Sequence, residues 1–209
     1  GLPERPASLV LHSWDEAGWR YFNRAYAGCT GMRVAGVSQK VMDRYAGWIR
    51  ENDHVDGGIL PPPVTEFCMA KGDYDPHGRI VVGWMGRPLE DKGLMTLPYL
   101  LAENPRLVVR AWTGAETAGL DYTLRVQGEA MEAVMKLARK LGVEDRLDLR
   151  PLDFNALSYR HRLEGCHVLL GNSRKEGFLL TAAEALSCGV PVVVTKTCGI
   201  ADFIRNVEW

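Results

Sequence analysis

The stretch Cys166-His167-Val168-Leu169-Leu170-Gly171-Asn172-Ser173-Arg174-Lys175-Glu176-Gly177-Phe178-Leu179-Leu180-Thr181-Ala182-Ala183-Glu184-Ala185-Leu186-Ser187-Cys188-Gly189-Val190-Pro191-Val192-Val193-Val194 reads as strand, loop, helix, strand. Cys166–Leu170 is a short apolar run of strand length. A small, polar loop follows, a helix starts near Leu179 or Leu180 and runs to Cys188, and Val190–Thr195 is again β-branched. Strands joined through a helix pair in parallel, because the crossover returns the chain to the same end of the sheet.

The same rhythm runs outward along the chain. Strands are expected at Ser8–His12, Met32–Val37, Gly58–Leu60, Arg79–Trp84, Leu107–Ala111 and Arg146–Leu149. Helices are expected at Glu90–Ala102, Ala130–Leu141, Phe154–Leu163 and Ile200–Arg205. Ala130–Leu141 is the clearest, with Met131, Val134, Met135, Ala138 and Leu141 on one face and Gly142 as a stop. Alternating elements of this kind make an α/β fold, a parallel sheet with helices on both faces. Leu60-Pro61-Pro62-Pro63-Val64 fits neither a helix nor a central strand, and the polar stretch after it carries Asp73, Tyr74, Asp75, Pro76 and Gly78. The expected organisation is therefore a first unit over 1–64, a linker over 65–78 and a main domain over 79–209. The first unit holds about three strands and two helices, a thin core that reads as part of something larger.

Composition narrows the function classes. Of 209 residues, 46% are apolar and 24% charged, as in an ordinary globular chain. The net charge of −1 lacks the basic surplus of a duplex nucleic-acid binder, so no nucleic-acid partner is expected. The five cysteines contain no Cys-x-x-Cys, and the five histidines show no ligand spacing, which argues against a disulfide framework and a metal site. The absence of an apolar run of membrane length, and of a signal-peptide core in the first residues, points to a cytoplasmic protein, with a peripheral membrane position as its variant.

Two constellations carry chemistry. The helix after Cys166–Leu170 begins beyond the carboxyl end of a parallel strand, where ligands bind in open α/β sheets, and its free N–H groups attract phosphate. Glu176 precedes this helix, and Thr181 and Glu184 share one of its faces. Glu184 lies in a run of Ala and Leu, where its carboxylate needs donors such as vicinal ribose hydroxyls. The second constellation is Gly83-Trp84-Met85-Gly86-Arg87-Pro88-Leu89-Glu90-Asp91-Lys92-Gly93, at another strand end. Its glycines admit close backbone approach, while Arg87 offers a planar fork and Lys92 a point charge. A helix dipole contributes about 0.3–1 kcal/mol to an anion, and each hydrogen bond to a charged group about 1.5–3 kcal/mol. Dipole, Arg and Lys together would hold a diphosphate without a divalent metal.

Plainer readings stand beside these. Glu176 and Glu184 at this spacing occur by chance, and Arg87 and Lys92 can be solvated charges beside Glu90 and Asp91. Asp73-Tyr74-Asp75 imitates a metal-binding Asp-x-Asp but reads as linker. Trp14, Trp19, Tyr21, Phe22 and Tyr26 read as core packing, with an acceptor or membrane-surface role as the alternative.

Taken together, Glu176-x7-Glu184, Glu176-Gly177-Phe178 with Leu180-Thr181, Cys188-Gly189-Val190-Pro191-Val192-Val193, and Arg87-x4-Lys92-Gly93 resemble the retaining glycosyltransferases of family 4, over about residues 32–209. The resemblance implies the GT-B fold: a Rossmann-like donor domain preceded by part of a second Rossmann-like half. It implies a nucleotide-diphosphate-sugar donor, a saccharide, lipid or small-molecule acceptor, and no further cofactor. Arg87 and Lys92 would hold the diphosphate beside Gly86, and Glu176 the donor sugar. Backbone N–H groups from Phe178 through Leu179 and Leu180 to Thr181, after Gly177, would meet sugar and phosphate. Glu184 would hold the ribose, and the loop after Leu149, around Arg150, Pro151 and Leu152, would cradle the base. The chain departs from the family pattern at Leu179, where Gly or a small residue is usual, at Asn172, where Pro is usual, and in length. His12 matches a sugar-contacting His of the acceptor half. A second chain or further segment completing that half, a non-catalytic nucleotide-sugar binding module, and a GT-B-like epimerase are the alternatives.

Overall fold

The computed structural model describes residues 8–11, 31–64, 77–115, 121–152 and 162–204. His12, the aromatic group from Trp14 to Tyr26, Asp73–Asp75 and most of the expected helix from Phe154 lie outside them. The chain forms two compact units. One comprises Gly1–Pro63, Glu176–Leu180 and Lys196–Trp209, the other Val64–Lys175 and Thr181–Thr195.

The first unit carries a parallel sheet in the order β1 (Ser8–Leu11), β2 (Arg33–Gly36), β3 (Val55–Ile59). Helix α1 (Gln39–Glu51) connects β2 to β3 and buries Val41, Met42, Tyr45, Trp48 and Ile49, a stripe at helical spacing. It starts at the N-cap Ser38, whose extended backbone lets Oγ accept from Val41 N at 3.4 Å. It ends at Asn52, followed by Asp53 at φ +54°, a conformation that Asp tolerates better than most residues. The sequence pattern sets no bounds for this helix. The third strand begins three residues earlier than expected, at Val55.

The second unit is a five-stranded parallel sheet in the order β6-β5-β4-β7-β8, formed by β4 (Ile80–Gly86), β5 (Leu107–Ala115), β6 (Leu147–Leu152), β7 (Val168–Gly171) and β8 (Val192–Val194). Helices α2 (Leu97–Glu103), α3 (Asp121–Lys140) and α4 (Leu180–Ser187) form the crossovers described in this part of the chain. Val82 and Trp84 of β4, Val109 and Ala111 of β5 and Leu147 of β6 share one face by register, and they are buried with Leu97, Leu101, Val134 and Ala138 of α2 and α3.

Several expectations are corrected. The segment from Glu90 is not one helix: 3₁₀ turns at Glu90–Lys92 and Leu94–Thr96 precede α2, because Gly93 between them sits at φ +80°. Helix α3 begins at Asp121, nine residues before the expected start at Ala130. Arg150, Pro151 and Leu152 are not a loop but the last residues of β6. Pro151 is accommodated because β6 is an edge strand, where a missing N–H need not break a ladder. Near the C-terminal end, Gly199–Asp202 is a 3₁₀ turn rather than the start of a longer helix.

Candidate functional site

From β4 the chain builds outward through β5 and β6, then crosses to the other side of β4 to place β7 and β8. The order reverses between β4 and β7, and a crevice opens at the carboxyl ends of strands flanking such a point. The two loops singled out from sequence leave those two ends.

The loop after β4 carries Gly86 at the strand end, Arg87 exposed to solvent, and Lys92 closing the first 3₁₀ turn. The Lys92 side chain is only 15% exposed, with Nζ 3.9 Å from Asp91 Oδ2, so it is not a solvated surface lysine. The loop after β7 grips this one. Asn172 Nδ2 donates to Gly93 O at 2.9 Å and to Thr96 Oγ1 at 2.6 Å, while Trp84 Nε1 donates to Asn172 Oδ1 at 2.8 Å. Arg174 N donates to Asp91 O at 2.6 Å. A Cβ on Gly93 would fall 2.6 Å from Asn172 Cγ, so this approach requires glycine. The exposed Arg174–Glu90 pair adds little. Ser173 is buried, and its carbonyl accepts from Thr195 Oγ1 at 2.6 Å, tying the loop to the end of β8. Asn172, where the family pattern has Pro, is thus the main bracket of the strand-end loops.

Gly83 serves packing, since a Cβ there would lie 3.1 Å from Cys166 Sγ. Gly86 pairs with Thr113, which pairs with Pro151 on its other side, so all three sit at one level of the carboxyl edge. Among the described residues, the buried Thr113 hydroxyl meets no partner. Arg150 is engaged by Asp148 two residues back: Nε and Nη2 lie 2.7 and 2.6 Å from Oδ2, and this hydrogen bond raises the guanidinium pKa further. Burial pushes the Cys166 thiol up to about 11 against the opposing pull of Arg110 and Arg150. Thr181 and Glu184 are half-buried on α4, beside the buried Ala182 and Ala185.

Glu176, Gly177, Phe178, Leu179 and Leu180 belong to the other unit. Glu176 pairs with Cys198 in a parallel bridge, Glu176 O accepts from Gly199 N at 3.0 Å, and Phe178 O accepts from Ile200 N at 2.8 Å. Gly177 O accepts from Ser38 Oγ at 2.7 Å, and Lys40 pairs with Asp202. Phe178 meets Phe203 edge-on, with ring centroids 5.6 Å apart. Leu179 is buried and adopts φ +82°, a region that favours glycine. Among the described residues no helix is long and apolar enough to cross a membrane, and no three His, Cys, Asp or Glu gather as a metal site requires.

Residues 77–208 match the family described as Family 4 Glycosyltransferase in conflict systems. The chain belongs to that glycosyltransferase family. This member of the family is 32% identical over 164 residues to a D-inositol 3-phosphate glycosyltransferase of Segniliparus rotundus, covering 73% of the chain and 33% of the relative. It is 32% identical over 142 residues to a glycogen synthase of Alkalilimnicola ehrlichii, covering 66% of the chain and 26% of the relative. The chain thus spans a third or less of these relatives' length. Among solved structures it resembles a UDP-forming α,α-trehalose-phosphate synthase from Burkholderia xenovorans, with a TM-score of 0.69 at 12% identity over 95% of this chain and 55% of that one. It also resembles the lipopolysaccharide outer core galactosyltransferase WaaB, with a TM-score of 0.66 at 17% identity over 97% and 60%. At such identities the likeness speaks for the fold alone, and that fold is the expected α/β architecture of GT-B glycosyltransferases.

Proposed function

We propose that this chain binds a nucleotide-diphosphate sugar and supplies the donor side of a glycosyl transfer that retains configuration and needs no metal ion. The observation that carries this reading is the bracketed switch point. Asn172 clamps the Gly93 turn, which holds a largely enclosed Lys92 at the carboxyl edge of β4. Lys92 and Arg87 bind the diphosphate there, and Gly86 lets the backbone approach it. Glu184 takes the ribose hydroxyls, and the end of β6 at Arg150, Pro151 and Leu152 takes the base. Glu176 takes hydroxyls of the donor sugar, and N–H groups from Phe178 to Thr181 meet sugar and phosphate.

In the reaction the bond between the anomeric carbon and the diphosphate oxygen breaks, and the diphosphate leaves with the electron pair. The sugar passes through an oxocarbenium-like state. An acceptor oxygen then bonds to the anomeric carbon on the vacated face and releases its proton. The catalytic contribution of Lys92 and Arg87 is to stabilise the charge growing on the leaving diphosphate. The acceptor is a saccharide, lipid or small molecule, and the acceptor side is completed by a further segment or a second chain.

One observation favours a second reading, a binding module without turnover: Leu179 puts a buried side chain where the left-handed backbone suits glycine. That reading expects binding but no transfer even when an acceptor half is supplied.

A thermal-shift panel of uridine, guanosine and adenosine diphosphates and their glucose conjugates tests the proposal. A ligand at 100 times its Kd adds about 2.7 kcal/mol of stability. One base should raise Tm, and Arg87→Ala and Lys92→Ala should each abolish the shift while folding normally. A flat panel overturns the proposal.

A further inference from the structure

The proposed donor contacts run through backbone N–H groups near Glu176–Leu180, so the orientation of those peptide planes matters. A trans peptide holds its C=O and the following N–H in one plane, pointing in opposite directions. Three successive planes are fixed through their carbonyls: Glu176 O by Gly199 N at 3.0 Å, Gly177 O by Ser38 Oγ at 2.7 Å, and Phe178 O by Ile200 N at 2.8 Å. Two of these anchors are backbone. The middle one is a side chain 139 residues away in sequence.

Ser38 is fully buried and uses its hydroxyl twice, donating to Gly177 O and accepting from Val41 N as the N-cap of α1. The joint leaves no slack. A Cβ on Gly199 would fall onto Gly177 O and within 2.6 Å of Ser38 Oγ. We propose that Ser38 is a positioning residue for the donor turn, fixing the Gly177–Phe178 peptide plane so that the Phe178 N–H is aimed away from α1 and toward the donor. The role in binding rests on the donor reading above; the role in ordering the turn does not.

The test uses the whole chain and two variants, because Ser38→Ala removes the hydroxyl and also weakens the cap, whereas Ser38→Gly removes the hydroxyl with the rest of the side chain but keeps an acceptable N-cap. Val34→Ala, a cavity in the buried core of the same unit, is the control. Amide hydrogen exchange is read over 177–180 and along α1, and affinity is read for UDP-glucose and UMP, or for the guanosine or adenosine pair that binds best. Both Ser38 variants should speed exchange over 177–180 more than along α1, whereas Val34→Ala should speed the whole unit alike. They should weaken UDP-glucose about five- to tenfold and leave UMP unchanged. Equal exchange over 177–180 and α1, or equal loss of both ligands, overturns the proposal. Should the wild type bind no nucleotide sugar while 177–180 still responds, the donor reading falls and the ordering role stands.

Discussion

Leu179 sits at φ +82° with its side chain buried, so two residue-scale effects oppose one another. The left-handed backbone costs a Leu roughly 1–2 kcal/mol, while its burial contributes about 2–3 kcal/mol. Burial outweighs strain, and both Leu179→Gly and Leu179→Ala should destabilise. Glycine removes the strain and alanine retains it, so the Gly variant should be the more stable of the two by about 1 kcal/mol. Urea denaturation of the pair decides this, and an Ala variant equal to or above the Gly variant would refute it. Cys166 supplies a pH prediction. Its thiol is held at about 11 against an ordinary 9.0, so the folded state keeps the proton longer than the unfolded chain. The resulting stabilisation is full below about pH 9 and is lost as pH rises through about 11, on the order of 2–3 kcal/mol. Cys166→Ala should therefore show a flatter stability profile than wild type between pH 8 and 11, and parallel profiles would contradict the assignment. Legibility at this scale was uneven. The loops that leave β4 and β7, which carry Arg87, Lys92 and Glu176, could be singled out from residue type and spacing. The work of Asn172 could not, because its partners Gly93 and Thr96 lie 79 and 76 residues away and no local pattern announces them.

Elements were legible where one face of a long periodic stretch is apolar, and illegible where a backbone conformation or an edge position overrides propensity. The stripe from Met131 to Leu141 marked the C-terminal half of α3, whereas Asp121–Gly128 lacks the stripe and contains a glycine. Leu94–Glu103 looks continuous with Glu90 until Gly93 turns left-handed between them. The resemblance implies a loop at Arg150, Pro151 and Leu152, but β6 lies at the sheet edge, where a proline is tolerated, and the strand continues to Leu152. Gly93 is also where the two strand-end loops meet. A methyl group there would meet both a positive φ and Asn172, with Cγ at 2.6 Å and the backbone O at 2.7 Å. Gly93→Ala should cost about 2–4 kcal/mol and abolish the nucleotide-dependent rise in Tm, since Lys92 is carried on the same turn. Adding Asn172→Ala should not restore either, because the backbone oxygen still blocks the Cβ. Full recovery in the double variant would show that the approach is set by the Asn172 side chain alone.

Across the whole molecule, the two units differ in how the chain supplies them. The larger one draws its β4, β5 and β6 from the continuous stretch Val64–Lys175, while the smaller one needs Glu176–Leu180 and Lys196–Trp209 returned to it after that stretch. With the larger unit unfolded, the smaller one would have to close a flexible loop of more than a hundred residues, costing roughly 4 kcal/mol. The smaller unit can therefore open alone, but the larger one cannot open without it. Exchange from α1 then reports the opening of the smaller unit, and exchange from β4 and β5 reports the opening of both. Val34→Ala, worth roughly 2 kcal/mol, should lower protection in α1 and in β5 by equal amounts. Leu97→Ala, at a fully buried position in the larger core, should cost about 2–5 kcal/mol, lowering protection in β5 and leaving α1 at its wild-type value. Native-state hydrogen exchange resolves the two cases, and a Leu97→Ala variant whose α1 amides lose protection as much as β5 would mean that the chain opens as one unit instead.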